Sequence, residues 1–251
     1  MLYPSFELPP SDLALKAGEI HIWIGELVQP ASEFNRFLQT ISIDERARAG
    51  RFHYQEKENR FIIRHGMLRM ILGKYMGVKA SELQFHYGKH GKPVINETFG
   101  KENIHFNISH SVGVALFAFV RNQQIGVDIE HIRDIPEMDQ IVKRYFSERE
   151  QVCYRALPRD KRREAFFHYW TSKEAFVKAL GEGLSRSLEK IDVTPVPGER
   201  NALHIIAGGP CEERGWSIHT IRPTREYAGA LAIQSENVTL RSFKWMPTDV
   251  N

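Results

Sequence analysis

Three carboxylates and a lysine, set in two short stretches, are of the right types to hold a hard cation against a phosphate. They lie in Gly126-Val127-Asp128-Ile129-Glu130 and in the run from Trp170 through Glu174 and Lys178 to Gly181. As a strand, the first stretch puts Asp128 and Glu130 on one face, roughly 6.5 Å apart. As a helix, the second aligns Trp170, Glu174 and Lys178 at i, i+4 and i+8. The plainer readings are a solvated acidic strand face and a helix-surface ion pair. Against the first, two like charges on one strand repel, and a cation between them would relieve that. Magnesium suits such a site, since it takes one or two protein carboxylates and completes its shell with water and phosphate oxygens. Glu174 falls about 40° round the helix from Trp170. That is the shoulder of a buried stripe of Phe166, Trp170, Phe176, Val177 and Leu180, where a helix can border a cleft.

Other polar groups could meet the anion. Ser109-His110 does not read as a nucleophile and its base, because adjacent strand residues point to opposite faces and no Gly-x-Ser-x-Gly elbow surrounds the serine. Hydrogen bonding to an anion is the better role. Lys89 and Lys92 flank glycines in a turn. Arg46, Arg48 and Arg51 cluster before a long helix, either as a solvated face or as a bidentate phosphate clamp. Neither common phosphate-loop pattern occurs, and the 11 histidines show no zinc spacing.

The elements that must position these groups can be read from periodicity. Residues 1–19, with Pro4, Pro9 and Pro10, read as an extended lead-in. Alternating Ile20, Ile22 and Ile24 predict a strand, Phe34–Gly50 a helix, and residues 55–75 a long helix stopped by Gly77. Strands are expected at 106–110, 112–120 and 125–129. In the second half, helices are expected over 138–151 and 163–180, with Gly181 as the stop. Strands follow at 191–193, 204–206, 216–218 and 227–233. Ala228–Ala232 echoes Val112–Leu116, and each long helix ends on a glycine, so two similar halves are expected, 20–121 and 122–251. Strands and helices are grouped, which favours α+β with antiparallel sheets.

With 251 residues the chain has ample length for a core. The 34 basic and 31 acidic side chains leave a net charge of +3, which permits acidic partners without demanding nucleic acid. The 2 cysteines, Cys153 and Cys211, sit in unrelated contexts and read as plain reduced thiols. The opening residues lack a signal-peptide pattern and no apolar run is long enough to span a membrane, so a cytoplasmic protein is expected.

The ordered set Gly91-Lys92-Pro93, Phe106 to Ser111, Gly126 to Glu130 and Trp170 to Gly181, with Phe52-His53-Tyr54 behind the arginines, resembles the Sfp-like 4′-phosphopantetheinyl transferases. The likeness runs from about Ile20 to Ile233, and its last two motifs are the most specific. It implies a magnesium-dependent enzyme that moves phosphopantetheine from coenzyme A to a serine of an apo acyl- or peptidyl-carrier protein, releasing 3′,5′-ADP. The implied fold is a monomer of two similar α+β halves, each an antiparallel sheet packed with a long helix, with the site in the cleft between them. Asp128, Glu130 and Glu174 would be the magnesium ligands, and Glu174 is also the candidate base. Lys178 would bind the pyrophosphate. Ser109, His110, Lys92 and Lys89 would contact coenzyme A phosphates, with Arg48 and Arg51 near the 3′-phosphate. Glu45 departs from relatives, which are often basic there. An acidic carrier suits the mildly basic chain; neither nucleic acid nor membrane is expected as a partner. Two other readings are a different magnesium-dependent phosphoryl enzyme acting on a nucleotide, and a non-enzymatic module binding acidic partners through its arginines.

Overall fold

Alternation along the strands decides the layering. In β1 (Glu19–Glu26) and β5 (Val114–Arg121), residues Trp23, Ala115, Phe117 and Phe119 are buried in one core with residues of α1 (Ala31–Thr40) and α3 (Gln55–Met76). Their alternate neighbours Ile20, Ile22, Leu116, Ala118 and Val120 join a second core with β6 (Ile125–His131) and β8 (Tyr227–Ile233). A third core sets Ala175, Phe176 and Ala179 of α6 (Arg159–Leu180) against Ala230 and Ala232 of β8. The result is a long helix, two sheets face to face, and a second long helix. The computed structural model describes residues 5–88, 92–96, 103–181, 187–193, 215–235 and 238–247. The predicted strand at 204–206 and Lys89 lie outside them.

The first sheet has the order β4-β5-β1-β9, with β4 at Ile104–Ser111 and β9 at Thr239–Lys244; the second has the order β6-β8-β7, with β7 at Ser217–Ile221. β2 (Phe85–Tyr87) and β3 (Pro93–Ile95) form a separate ribbon. Among the described strands the pairings are antiparallel except that of β9 with β1, which is parallel. The lead-in is tied to the same strand, since Glu7 bridges Phe243.

Two predicted helices are each broken in two. Phe34–Gly50 divides into α1 and α2 (Ile43–Ala49), and 138–151 into α4 (Met138–Tyr145) and α5 (Glu148–Ala156). The cause is the same in both. Ser42 and Ser147 start a new helix with a full capping box, exchanging hydrogen bonds with Glu45 and Glu150 three residues on. α6 begins at Arg159, a turn earlier than expected. Residues 191–193 are not a strand but follow a 3-10 turn at Leu188–Lys190.

Those capping glutamates carry the pseudo-twofold relation. Buried Glu45 binds buried Arg69 of α3 at 2.7 Å, and Arg69 Nη1 donates to the carbonyls of Ala80 and Leu83 after that helix. Buried Glu150 binds buried Lys173 of α6 at 2.7 Å, and Lys173 donates to the carbonyls of Leu188 and Ile191 after its own helix. Each 22-residue helix then ends on a left-handed glycine, Gly77 and Gly181. Glu45 is therefore engaged as an internal clamp.

One turn carries local strain. β4 and β5 are joined by Val112-Gly113, and Val112 has φ 52° while Gly113 does not enter positive φ. That is the pattern of a type II′ hairpin, which favours glycine at its first central position. An exposed β-branched residue holds it instead. Val112→Gly is expected to stabilise the fold by about 1 kcal/mol, read as a raised midpoint in thermal or urea unfolding.

Candidate active site

β6 presents its two faces to different partners. Ile125, Val127 and Ile129 enter the core between the sheets. Gly126, Asp128 and Glu130 face the other way, as the period of two predicts, but that face is packed rather than solvated. Asp128 is only 4% exposed. The contact with α6 is close enough that a Cβ on Gly126 would overlap the Ala175 carbonyl oxygen and the Ala179 amide nitrogen and lie 2.9 Å from Ala179 Cα. Glycine at 126 lets the helix bearing Glu174 and Lys178 press onto the strand bearing Asp128 and Glu130.

β4 supplies the third side. Its alternate residues Asn107, Ser109 and Ser111 reach across to β6: Asn107 accepts from the Val127 amide at 2.9 Å, Ser109 donates to Asp128 at 2.7 Å, and Ser111 donates to Glu130 at 2.8 Å. Lys178 Nζ meets Asp128 Oδ1 at 2.5 Å and donates to Ser109 Oγ at 2.9 Å. Arg133 lies 3.3 Å from Glu130. The cleft they border has a volume of about 620 Å³ and is lined from both halves of the chain. Arg48, Arg64, Ser109 and His110 come from one half, and Asp128, Glu130, Trp170, Glu174 and Lys178 from the other.

Of the residues singled out in the sequence, Arg48, Ser109, His110, Asp128, Glu130, Glu174 and Lys178 are brought together here. Arg51 is exposed just past the end of α2 and is not in the cleft lining. Lys92 is also absent from the lining. Its ammonium donates to the Lys178 carbonyl at 2.9 Å, near the C-terminal end of α6, and burial lowers its pKa to about 8. It holds the ribbon to α6 through the negative end of the helix dipole. Ser109, 7% exposed, has its hydroxyl committed to Asp128 and Lys178. Arg64, Phe61 and His65 of α3 and Tyr145 line the cleft without having been singled out.

The electrostatics divide the cleft. Burial first, then the Asp128 carboxylate, push the Glu174 pKa up, Lys178 opposes this, and Glu130 adds to it. Desolvation, followed by the nearby Arg64 and Lys178 charges, pushes His110 down to about 4, so it faces the cleft as a neutral imidazole. Among the described residues no three His, Cys, Asp or Glu side chains stand as a ready ligand cluster for a metal. Instead Asp128 leans on Lys178 and Glu130 on Arg133. Yet Asp128 Oδ2 and Glu174 Oε1 are buried with no hydrogen-bond partner. Two orphaned carboxylate oxygens among mutually repelling acids suit a hard cation.

Residues 124–232 match the 4′-phosphopantetheinyl transferase superfamily and residues 29–120 match the 4′-phosphopantetheinyl transferase N-terminal family. The 4′-phosphopantetheinyl transferase HetI of Nostoc sp. is 35% identical over 98% of this chain and 98% of its own length. The chain belongs to the 4′-phosphopantetheinyl transferase superfamily. The 4′-phosphopantetheinyl transferase Sfp of Bacillus subtilis is 34% identical over 64% of this chain and 69% of its own. Among solved structures, the Chronobacterium ammoniagenes ACPS–CoA complex aligns over 45% of this chain and 96% of that one, at 23% identity and a TM-score of 0.36. As a 4′-phosphopantetheinyl transferase the chain is an enzyme, and coenzyme A is its substrate. Among the described residues no helix is long and apolar enough to cross a membrane.

Proposed function

We propose that this cleft transfers the 4′-phosphopantetheine arm of coenzyme A to a serine hydroxyl of an acidic apo-carrier protein, with residues 20–121 and 122–251 as its two walls. The supporting observation is the group formed by Asp128, Lys178 and Ser109 beside Glu174, with orphaned oxygens on both acids. The serine oxygen attacks the phosphorus on the pantetheine side. The bond from that phosphorus to the bridging oxygen breaks, and 3′,5′-ADP leaves with the electron pair.

Each side chain has a task set by its surroundings. Glu174, desolvated and with one free oxygen, takes the serine proton. Lys178 shares its ammonium between Asp128 and Ser109 and has donors left for a phosphate oxygen. Its charge offsets the negative charge that grows on the leaving group. His110 offers a neutral N–H donor. Ser109 fixes Asp128 and Lys178 relative to each other. Asp128, Glu130 and Glu174 would hold magnesium, which when bound supplies positive charge to the diphosphate oxygens. The reading includes a cytoplasmic monomer.

The test is mass spectrometry of purified apo-acyl- and apo-peptidyl-carrier proteins after incubation with this enzyme and coenzyme A. One phosphopantetheine arm is expected per carrier with magnesium and none with EDTA. Transfer that persists in EDTA would remove the metal from the proposal. Failure of every carrier to gain mass, with coenzyme A bound, would remove the carrier reaction.

A further inference from the structure

Two sheet edges meet at the cleft without a backbone ladder between them. β4 ends the first sheet and β6 the second, and among the described strands β4 pairs with β5 and β6 with β8. An edge strand turns every other N–H outward. On β6 two of these belong to Val127 and His131, and β4 meets both with side chains. Asn107 Oδ1 accepts from the Val127 N–H at 2.9 Å, and Ser111 Oγ accepts from the His131 N–H at 3.1 Å. An amide or hydroxyl oxygen stands where a neighbouring strand would place a carbonyl.

The two rungs differ in what else they reach. Asn107 is buried, and its bond to β6 is to backbone. Ser111 spends its own proton on Glu130 Oε2 at 2.8 Å, so one hydroxyl joins the His131 backbone to the Glu130 side chain. The other neighbour of Glu130 is Arg133, half-exposed and 3.3 Å from the same oxygen. An exposed pair at that distance is screened by solvent and directs a carboxylate weakly. Both bonds fall on Oε2 and leave Oε1 for another partner. Asp128 is held in the same fashion two residues earlier. Ser109 and Lys178 take its Oδ1, and Oδ2 has no hydrogen-bond partner. A β4 hydroxyl thus holds one oxygen of each strand acid and leaves the other open.

We propose that Ser111 is a positioning residue for the metal-binding acids, orienting Glu130 by tying its carboxylate to the open edge of β6. The assignment rests on the reading of Asp128, Glu130 and Glu174 as the magnesium ligands. Without the hydroxyl, Glu130 keeps only the solvent-facing Arg133 and must give up side-chain freedom each time it takes the cation. Carboxylates that ligate a metal are held by such partners, whose removal costs about 10- to 100-fold in metal affinity.

The experiment is calorimetric titration of manganese into wild type, Ser111→Ala, Ser111→Thr and Asn107→Ala, each saturated with coenzyme A, with the titration into coenzyme A alone subtracted. Thermal unfolding and transfer rates at stepped magnesium accompany it. Ser111→Ala is expected to bind manganese about 10- to 100-fold more weakly and to regain turnover as magnesium is raised. Its coenzyme A affinity in EDTA stays at the wild-type value. It melts close to wild type, because Ser111 is only half-buried and water replaces the hydroxyl at His131. Ser111→Thr keeps the hydroxyl and restores manganese binding. Asn107→Ala is the contrast: it strands a buried Val127 N–H and lowers the melting temperature, yet costs less manganese affinity than Ser111→Ala. Unchanged manganese affinity in Ser111→Ala would overturn the proposal. So would a loss matched by equal losses in melting temperature and metal-free coenzyme A binding, the mark of a merely structural serine. A wild-type protein that binds no manganese would remove the assignment together with the metal. A wild type that binds manganese in this Ser111-dependent way yet modifies no carrier would sink the transfer reaction and leave the assignment standing.

Discussion

Gly126→Ala is expected to cost the enzyme at least about 100-fold in transfer rate and to lower its melting temperature as well. The added methyl group would meet the backbone of α6 at Ala175 and Ala179, not the tip of a side chain. Backbone cannot rotate out of the way, so the helix must move off the strand. Overpacking of this kind costs about 1–3 kcal/mol, and more when the obstacle is rigid. The catalytic penalty is larger, because Asp128 and Glu130 ride on the strand while Glu174 and Lys178 ride on the helix. A displacement of about 1 Å between reacting groups costs on the order of 100-fold in rate. Steady-state transfer, coenzyme A titration and thermal unfolding of the same variant separate the two effects. Gly113→Ala is the control: it is a glycine with nothing within 4 Å of an added Cβ and no positive φ. Full activity in Gly126→Ala would mean that the close approach of α6 to β6 does not position the site.

That contact also marks where sequence stops being sufficient. The period of two correctly separates Asp128 and Glu130 from Ile125, Val127 and Ile129. It cannot say whether the acidic face meets water or a helix, because that depends on what packs there. Capping boxes are different. Ser42 to Glu45 and Ser147 to Glu150 carry a readable signal for a helix start. Overlooking it merged two helices into one on each occasion. Glu45 and Glu150 then pair with Arg69 and Lys173 more than 20 residues away, contacts that no local pattern announces. Lys92 and Arg51 show the limit of reading cations as phosphate ligands. One is drawn to the carbonyl end of α6 and the other to the surface. The parallel pairing of β9 with β1 was equally out of reach, since a crossover from the chain's end leaves no periodic trace.

Glu174→Gln is expected to reduce turnover by about 100- to 10,000-fold, the range for removing a general base, while leaving the fold intact. The two halves of this prediction have one origin. Glu174 Oε1 is buried without a hydrogen bond, and the carboxylate is crowded by Asp128 and Glu130 with only Lys178 in opposition. Such a group is held against its own preference, so an amide of the same shape removes a repulsion and breaks no hydrogen bond at Oε1. Thermal unfolding of ligand-free Glu174→Gln should therefore match or exceed wild type. A residue kept for stability would behave the opposite way, with activity falling only as the fold weakened. Glu174→Asp provides the finer test: it keeps the charge but draws the carboxylate back along α6 by a methylene, so its rate should fall between wild type and Glu174→Gln. Wild-type turnover in Glu174→Gln would take the proton transfer away from this residue. The remaining oxygen acceptors at that wall are then Asp128, already held by Ser109 and Lys178, and Glu130, already held by Ser111 and Arg133. Asp128 Oδ2 is as free of partners as Glu174 Oε1, but the Asp128 and Glu130 carboxylates are each already tied by two polar neighbours, and this is why the assignment falls on Glu174.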